Sequence, residues 1–177
     1  MPDEPPYMSQ PTEPIRDAII GLLPRLRRFA RAITRHHADA DDLLQVTVER
    51  ALLRTALWQP DTRLDSWLFK IMKNAWIDEV RVRIRRGRLF APEEAGEHVG
   101  VSYTQRQIDA MAVQQAMERL SEDQRMVVGL VLIEGLSYKE AAAVLDIPIG
   151  TLTSRLARAR ATLQVILVDS GAGSDTQ

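Results

Sequence analysis

A cluster of polar side chains near the carboxyl end of the chain has the charge and spacing to bind a phosphate backbone. Its members are Ser154, Arg155, Arg158 and Arg160. On a helix they share the surface opposite the apolar positions, and guanidinium groups suit the phosphate-lined groove of DNA. The chemistry that these residues indicate is therefore binding of nucleic acid.

Groupings typical of catalysis or of metal binding are missing from the sequence. His36, His37 and His98 have no partners at metal-ligand spacing, and there is no glycine-rich phosphate loop. Asp41 and Asp42 form an adjacent acidic pair, but the N-termini of helices commonly carry such residues because they complement the helix dipole. The sequence predicts neither an enzyme nor a bound cofactor.

The segment that carries the arginines has the pattern of a helix-turn-helix. Ser137 precedes a short apolar helix, and Glu140 stands three residues further on, which is the spacing of a capping box. Pro148 lacks a backbone N–H and disfavours helical geometry in the residue before it, so the first helix must end there. A second helix begins near residues 149–151. Its inward side carries Leu152, Leu156 and Leu163.

The composition is that of an ordinary globular protein. Of the 177 residues 45% are hydrophobic and 27% are charged, and the net charge is -1, so DNA binding requires a local basic face. The lack of cysteine excludes disulfides, thiolate chemistry and cysteine-based zinc sites. No apolar run reaches the length of a membrane span, and the acidic, proline-rich start differs from a signal peptide. We therefore expect a cytoplasmic protein without membrane insertion.

The amino-terminal part begins with a tail and a helix. Residues 1–14 contain five of the nine prolines and are predicted to be a disordered tail. From Ile15 onward apolar residues recur at alternating steps of four and three, which predicts a helix. Pro24 lies inside this pattern, so either the helix kinks there or two shorter helices meet.

Two more helices are expected before residue 88. Acidic residues at 39–42 indicate the start of one, which extends to about Leu53. Its polar stripe consists of Asp42, Gln45 and Glu49, and the pattern alone favours a solvated face for it. After a loop at 58–63, the next helix is expected to open at Asp65 or Ser66 and to end near Arg86.

This third helix combines basic and aromatic residues. The residues concerned are Lys70, Lys73, Asn74, Arg81, Arg85, Trp67 and Trp76, with Trp58 in the loop before it. Basic side chains bind the backbone of a single strand, and aromatic rings stack on its bases. The alternative is that the tryptophans belong to the core and the arginines to the solvated surface, and for Trp76 we favour the core.

The remainder of the chain is predicted to form a second helical domain. Residues 89–106 lack periodicity and are interpreted as a flexible linker, followed by a domain at 107–168 and a disordered tail at 169–177. Ser121 and Gln124 form a second capping box, and residues 127–133 are apolar almost all round, which predicts a buried helix. Because no strand alternation is found, the fold class is all-α, with two small helical domains.

Both domains resemble one family, the extracytoplasmic-function (ECF) sigma factors of bacterial RNA polymerase. Residues 15–88 are similar to sigma region 2, in which 64–78 resemble the signature Trp-Leu-(Tyr/Phe)-x-Ile-x-x-Asn. Residues 120–163 resemble region 4, with Gly-Leu-Ser-Tyr-x-Glu-x-Ala followed by Gly-Thr-(Leu/Val)-x-Ser-Arg-x-x-Arg-Ala-Arg. Residues 23–31 are also similar to the alphaproteobacterial general-stress branch of this family.

The resemblance implies promoter-specific transcription initiation and assigns three binding surfaces. Core RNA polymerase, through the clamp helices of its largest subunit, would contact Asp41, Asp42, Gln45 and Glu49. The -10 element would contact Gln59, Asp61, Arg63, Ser66, Trp67, Lys70, Asn74 and Arg81. The -35 element would contact Thr151, Thr153, Ser154, Arg155, Arg158 and Arg160, with Arg155 and Arg160 nearer the phosphates. The flap of the second-largest polymerase subunit would bind region 4, and an anti-sigma factor would cover the core-binding faces.

Two departures from the family pattern concern the -35 contact. Thr153 stands where many relatives carry a long basic residue, and Ala157 stands where some carry an aromatic or polar one. Both shorten the reach to base edges, so positioning on DNA should count for more here than fine base discrimination.

Two other functions remain open from the sequence. A sigma-like decoy would sequester an anti-sigma factor without binding DNA, but it should lose the basic character that Arg155, Arg158 and Arg160 preserve. A helix-turn-helix repressor with an unrelated dimerisation domain would explain the carboxyl-terminal half, but not the segment 64–78.

Overall fold

The structure, a computed structural model, describes residues 13–34, 36–87, 113 and 115–171, with side-chain surroundings up to residue 165. Within these ranges there are helices and turns but no strands, so the all-α prediction is confirmed. The predicted linker at 89–106 and most of the amino-terminal tail lie outside the described residues. No helix in the described ranges is long and apolar enough to cross a bilayer.

The amino-terminal unit, residues 13–87, contains three long helices. They are α1 (Glu13–Ile33), α2 (His37–Leu53) and α3 (Leu64–Arg85), with a short 3-10 turn at Thr55–Leu57. Helix α1 passes through Pro24 as one continuous element. Pro24 has no N–H to donate to the carbonyl of Ile20, and Ile20 is 55% exposed, so this missing bond lies on the solvent side of the helix. The helix also begins at Glu13, two residues inside the predicted tail.

The carboxyl-terminal unit, residues 115–171, contains the predicted helix-turn-helix. Its elements are α4 (Glu122–Val128), a π-helical turn (Gly129–Ile133), α5 (Tyr138–Leu145) and α6 (Ile149–Gly171). Both capping boxes are present, at Ser121 with Gln124 and at Ser137 with Glu140. Helix α6 continues to Gly171 and so includes the first three residues of the predicted terminal tail.

The prediction of one buried helix at 127–133 is confirmed for residues 127–130, which are buried, but it is wrong for the end of the segment. The helix changes to π geometry at Gly129, where the Glu134 N–H donates to the Gly129 carbonyl at 3.0 Å, five residues back. The wider turn rotates Leu132 and Ile133 outward, and they are 44% and 39% exposed. The extra residue of a π turn is not visible in hydrophobic periodicity, which has the same apolar letters in either geometry.

The two units pack against each other and share one apolar core. Phe29 of α1 is fully buried and meets Phe69 of α3 edge-on, with ring centroids 5.1 Å apart. The carboxyl-terminal unit approaches this pair at Gly129, where an added Cβ would lie 2.9 Å from Cδ2 of Phe29. Arg125 of α4, itself buried, donates to the carbonyl of Ile33 at 3.2 Å. The close approach of α1 and the π turn therefore depends on the missing side chain of Gly129.

An ionic network crosses the same boundary. The side chain of Glu134 is fully buried and accepts hydrogen bonds from Arg25 at 2.9 Å and from Arg28 at 3.1 Å. Arg25 also donates to the Glu134 carbonyl at 3.0 Å and to Asp65 of α3 at 2.6 Å. Arg63 completes the network by pairing with Asp65 at 2.6 Å. One buried carboxylate thus ties the π turn to α1, and Arg25 ties both to α3.

The network also determines the ionisation of Asp65. Burial opposes ionisation, but hydrogen bonds from Arg63, Arg25 and the Ser66 N–H lower the pKa of Asp65 to about 2. Because this pKa lies below the usual aspartate value, the carboxylate stabilises the fold above about pH 4. That contribution is lost as the pH falls through about 2.

We expect Gly129→Ala to destabilise the protein by about 1–3 kcal/mol, because Phe29 is fully buried and cannot yield to the new Cβ. Gly21→Ala is the matched control, since nothing lies within 4 Å of its added Cβ, and alanine favours the exposed helix by up to about 1 kcal/mol. Urea denaturation followed by circular dichroism measures both. Equal stability of the two variants would contradict the close approach.

We expect Asp65→Asn to lower the free energy of unfolding at pH 7 by about 2 kcal/mol, because two arginines lose their carboxylate. The variant should also lose less stability than the wild type between pH 4 and pH 2, where the native carboxylate is protonated. Asp17→Asn, at an exposed position of α1, is the control and should follow the wild-type pH curve. Denaturant titrations at several pH values measure these curves, and parallel curves for Asp65→Asn and the wild type would refute the assignment.

Candidate nucleic-acid interface

One side of α3 presents the predicted promoter-contacting residues to solvent. Lys70, Asn74 and Arg81 are all exposed, and their spacing of four and seven residues places them on the same side of the helix. Asn74 offers both a hydrogen-bond donor and an acceptor, and the flanking cations suit phosphates. The helix can thus read a base and hold the backbone with neighbouring side chains.

The loop before α3 carries three other residues predicted to contact the -10 element, and only one of them forms ion pairs. Gln59 and Asp61 are exposed, and the loop is closed by a turn from the Thr62 N–H to the Gln59 carbonyl at 2.9 Å. Arg63 is exposed, but it pairs with Asp65 and with Glu140 of α5. In this arrangement the loop is therefore bound to the helix-turn-helix unit through Arg63.

Ser66 and Trp67 at the start of α3 are half-buried. The hydroxyl oxygen of Ser66 and the indole nitrogen of Trp58 are both buried and have no hydrogen-bond partner within the described structure. Buried polar atoms in folded proteins are seldom left unpaired. The fold therefore leaves two polar atoms beside the loop available for a hydrogen bond to another molecule.

Trp76 is a core residue, as the sequence analysis favoured. It is 6% exposed, and the guanidinium of Arg83 lies 5.6 Å from its ring centroid. Arg83 also makes a bidentate pair with Asp39 of α2, at 2.6 and 2.7 Å. These hydrogen bonds from Arg83 lower the pKa of Asp39 despite its partial burial. Trp76 and Arg83 therefore join α2 to α3 and leave single-strand binding to other residues.

Helix α6 presents Ser154, Arg158 and Arg160 as exposed residues. The Ser154 hydroxyl donates to the Thr151 carbonyl at 2.9 Å, and the Thr153 hydroxyl donates to the Gly150 carbonyl at 3.0 Å. Their oxygens keep lone pairs that can accept a hydrogen bond from a base edge. Thr151 and Thr153 are half-buried.

Arg155 is less exposed than the sequence predicted. Its guanidinium pairs with Asp123 at the start of α4 at 2.7 Å, and its side chain is 29% exposed. Because α4 packs against α6, a carboxylate in the first turn of α4 lies within reach of α6. Sequence periodicity could not reveal this pair, since Asp123 and Arg155 are far apart in the chain.

The polar stripe of α2 is a continuous exposed surface. Asp41, Asp42, Gln45 and Glu49 are all exposed, and the Gln45 amide donates to Glu49 at 3.0 Å. The same side of α2 also exposes two apolar residues that the sequence analysis did not select. They are Val46, 37% exposed, and Leu53, 82% exposed. Their spacing from Asp42 by four and eleven residues was the available signal, because both fall on the polar side of the helix.

Each of the two units matches a known protein family. The family described as "Sigma-70, region 4" matches residues 110–163, and the "Sigma2 domain of PhyR" matches residues 19–73. The matched segments contain α4 to the middle of α6 and most of α1 to α3 respectively. Each unit therefore corresponds to one conserved sigma region.

Whole-chain relatives agree with these matches. The ECF RNA polymerase sigma factor EcfG of Rhodopseudomonas palustris is 33% identical over 165 residues, covering 91% of this chain and 89% of its own. The ECF RNA polymerase sigma factor SigM of Mycobacterium tuberculosis is 35% identical over 144 residues, covering 81% of this chain and 71% of its own.

A solved structure has the same arrangement of helices. The sigma factor RpoE of Bartonella quintana, crystallised with the anti-sigma factor NepR, is 30% identical and has a TM-score of 0.78. The match covers 93% of this chain and 100% of that one, so it includes both units together. The helix-turn-helix, the region 2 helices and these full-length matches lead to one conclusion: the chain belongs to the extracytoplasmic-function family of RNA polymerase sigma factors.

Proposed function

We propose that the chain directs promoter-specific transcription initiation through three surfaces on its two units. Helix α2 binds core RNA polymerase, α3 with its preceding loop binds the -10 element, and α6 binds the -35 element. The observation that supports this most directly is the exposure of Asn74 between Lys70 and Arg81 on α3, within the segment that resembles the promoter-melting signature. The chain acts in the cytoplasm, where core polymerase and promoter DNA are found.

The α2 surface has the character of a reversible docking site. Acidic residues at its amino-terminal end favour a partner chosen by charge, and the exposed Leu53 adds apolar area at the other end. A mixed surface of this kind suits a subunit that binds and leaves the polymerase in each cycle of initiation. Region 4 binds the flap of the second-largest polymerase subunit in the same complex.

The -35 contact relies on cations more than on base-reading side chains. Arg158 and Arg160 are exposed on α6, whereas Thr153 and Ala157 have short side chains. Arg158 contacts a base edge together with Thr153 and Ser154, and Arg160 contacts phosphate. Because Arg155 pairs with Asp123 here, its phosphate contact requires this ion pair to open.

An anti-sigma factor holds the protein inactive in this proposal. The Bartonella quintana relative was solved with such a partner bound, and its superposition extends across both units. The packed arrangement of the two units is therefore similar to that of a sigma factor in an inhibited complex.

A decoy function is the second candidate, supported by the match of residues 19–73 to the sigma2 domain of PhyR. A decoy would bind the anti-sigma factor but would not start transcription. The exposed arginines of α6 favour the sigma factor, because a protein that does not bind DNA has no need of them.

We expect reversal of charge at Asp42 and Glu49, each to arginine, to weaken binding of core polymerase at least tenfold, because two rim charges then oppose the partner's surface. Both residues are exposed, so the thermal midpoint should stay unchanged. Asp17→Arg on α1 is the control for added charge. Fluorescence titration of labelled protein with core polymerase measures the affinity, and undiminished binding by the double variant would exclude α2 as the docking site.

We expect Asn74→Ala to retain core binding and to lose most run-off transcription, because the base that Asn74 holds is then left unpaired. Arg158→Ala should reduce transcription about tenfold, chiefly from promoters that depend on the -35 element. Arg119→Ala, an exposed arginine outside α6, is the control and should transcribe normally. If the wild-type protein binds core polymerase but starts no transcript from a cognate promoter, the decoy function replaces this one.

A further inference from the structure

A lysine is buried at the boundary between the two units. Lys73 of α3 is only 7% exposed, and it makes no hydrogen bond or ion pair with any residue of the described structure. Its neighbours on the same helix, Lys70 and Asn74, are exposed. The boundary therefore covers one cation within a row of residues that otherwise face solvent.

The lysine borders an interdomain cavity of about 350 Å³. Helix α3 contributes Ile77 and Arg81, and the helix-turn-helix contributes Leu145, Ile147 and Arg155. Helix α4 adds two carboxylates, Glu122 and Asp123, of which Asp123 is paired with Arg155. The cavity is thus open space between the -10 surface and the helix-turn-helix turn. Lys73 and Arg155 are brought to the same cavity although they belong to different predicted DNA contacts.

The position is electrostatically unfavourable for an ammonium group. Desolvation by burial lowers the pKa of Lys73, and repulsion from Lys70 lowers it further, while the carboxylate of Asp146 opposes both. Asp146 ends α5 in the left-handed conformation, with φ of 60°, and its chain neighbours Leu145 and Ile147 line the same cavity as Lys73. An apolar side chain of similar length would fit the closed boundary at lower cost.

The other buried charged residues that the structure describes, Asp65, Arg125 and Glu134, all form hydrogen bonds. The cost of burying Lys73 without one indicates that this lysine serves another arrangement. Separation of the two units would expose Lys73 next to Asn74, between Lys70 and Arg81 in the sequence of α3. In that position the ammonium can reach a phosphate of the strand whose base Asn74 binds. While the units are packed, the carboxylate of Asp146 is the anion that favours the charged form of Lys73.

We propose that Lys73 is a promoter phosphate contact that the helix-turn-helix turn covers in this arrangement, so that DNA binding along α3 requires the two units to separate. The proposal rests on the function proposed for α3. It adds one residue to the -10 surface and makes the turn at Asp146 an inhibitory contact within the chain itself.

The first test is Lys73→Met, studied in the complete complex with core polymerase. The variant should raise the thermal midpoint of the free protein by about 2 °C or more, because the buried charge is gone. In the holoenzyme it should lower affinity for promoter DNA several-fold and reduce the slope of log affinity against log salt by about 0.7–0.9. A residue needed only for packing would not alter the salt slope. A lowered midpoint, or an unchanged slope, would overturn the proposal.

Lys70→Met is the matched variant on the same helix. Because Lys70 is exposed, its replacement should reduce the salt slope by a similar amount without raising the thermal midpoint. The rise in midpoint must therefore be particular to Lys73. If both variants gain the same stability, burial at the boundary is not the cause and the proposal fails.

The second test removes the opposing charge with Asp146→Asn, since asparagine keeps the left-handed conformation that this turn requires. The change should lower the thermal midpoint in the wild type, but it should have no effect when Lys73 is methionine. Equal effects in both backgrounds would show that Asp146 does not act on Lys73.

The wild-type control distinguishes failure of the proposed role of Lys73 from failure of the proposed function of the chain. The promoter fragment is chosen from transcripts that increase when the protein is overproduced. If the wild-type holoenzyme initiates there while Lys73→Met keeps the wild-type salt slope, only the role of Lys73 is refuted. If the wild-type protein fails to bind core polymerase, the proposed function itself is refuted.

Discussion

Burial of the Glu134 carboxylate against α1 is the constraint on which the arrangement of the two units depends. A carboxylate removed from water is costly unless its oxygens are paired, and both oxygens of Glu134 accept from arginines of α1. Arg25 uses its remaining nitrogens for the Glu134 carbonyl and for Asp65. While the units are packed, a shift of the π turn, α1 or α3 would therefore leave one of these groups unpaired.

The same boundary contains favourable and unfavourable contacts. The apolar contact of Phe29 with Gly129 and the paired carboxylate of Glu134 hold the units together. The unpaired ammonium of Lys73 opposes them. In the proposed mechanism, this boundary is exchanged for contacts with polymerase and DNA, and an unfavourable contact within it lowers the cost of that exchange.

Features that depend on residues close together in the chain could be predicted from the sequence. Helical periodicity located α1 to α3, and both capping boxes were recognised from Ser121 and Ser137. The exposed row on α3 followed from the same periodicity, as did the polar stripe of α2.

Features that depend on contacts distant in the chain could not be predicted. Arg155 was expected to point outward, but it pairs with Asp123 on a different helix. The π turn at Gly129 has no signature in apolar spacing. The engagement of Arg63 by Glu140, and the burial of Lys73, depend on how the two units meet, which composition and periodicity do not encode.

Glu140 uses its two carboxylate oxygens for different purposes, one between the two units and one within the helix-turn-helix. One carboxylate oxygen binds Arg63 of the amino-terminal unit, while the other accepts from the N–H and the hydroxyl of Ser137 at the start of α5. These contacts with Ser137 lower the pKa of Glu140, so the group stays charged in either role. In the proposed separation of the units, only the first oxygen would be released. Helix α5 would keep its capped end, so the helix-turn-helix could reach DNA with its first helix already formed.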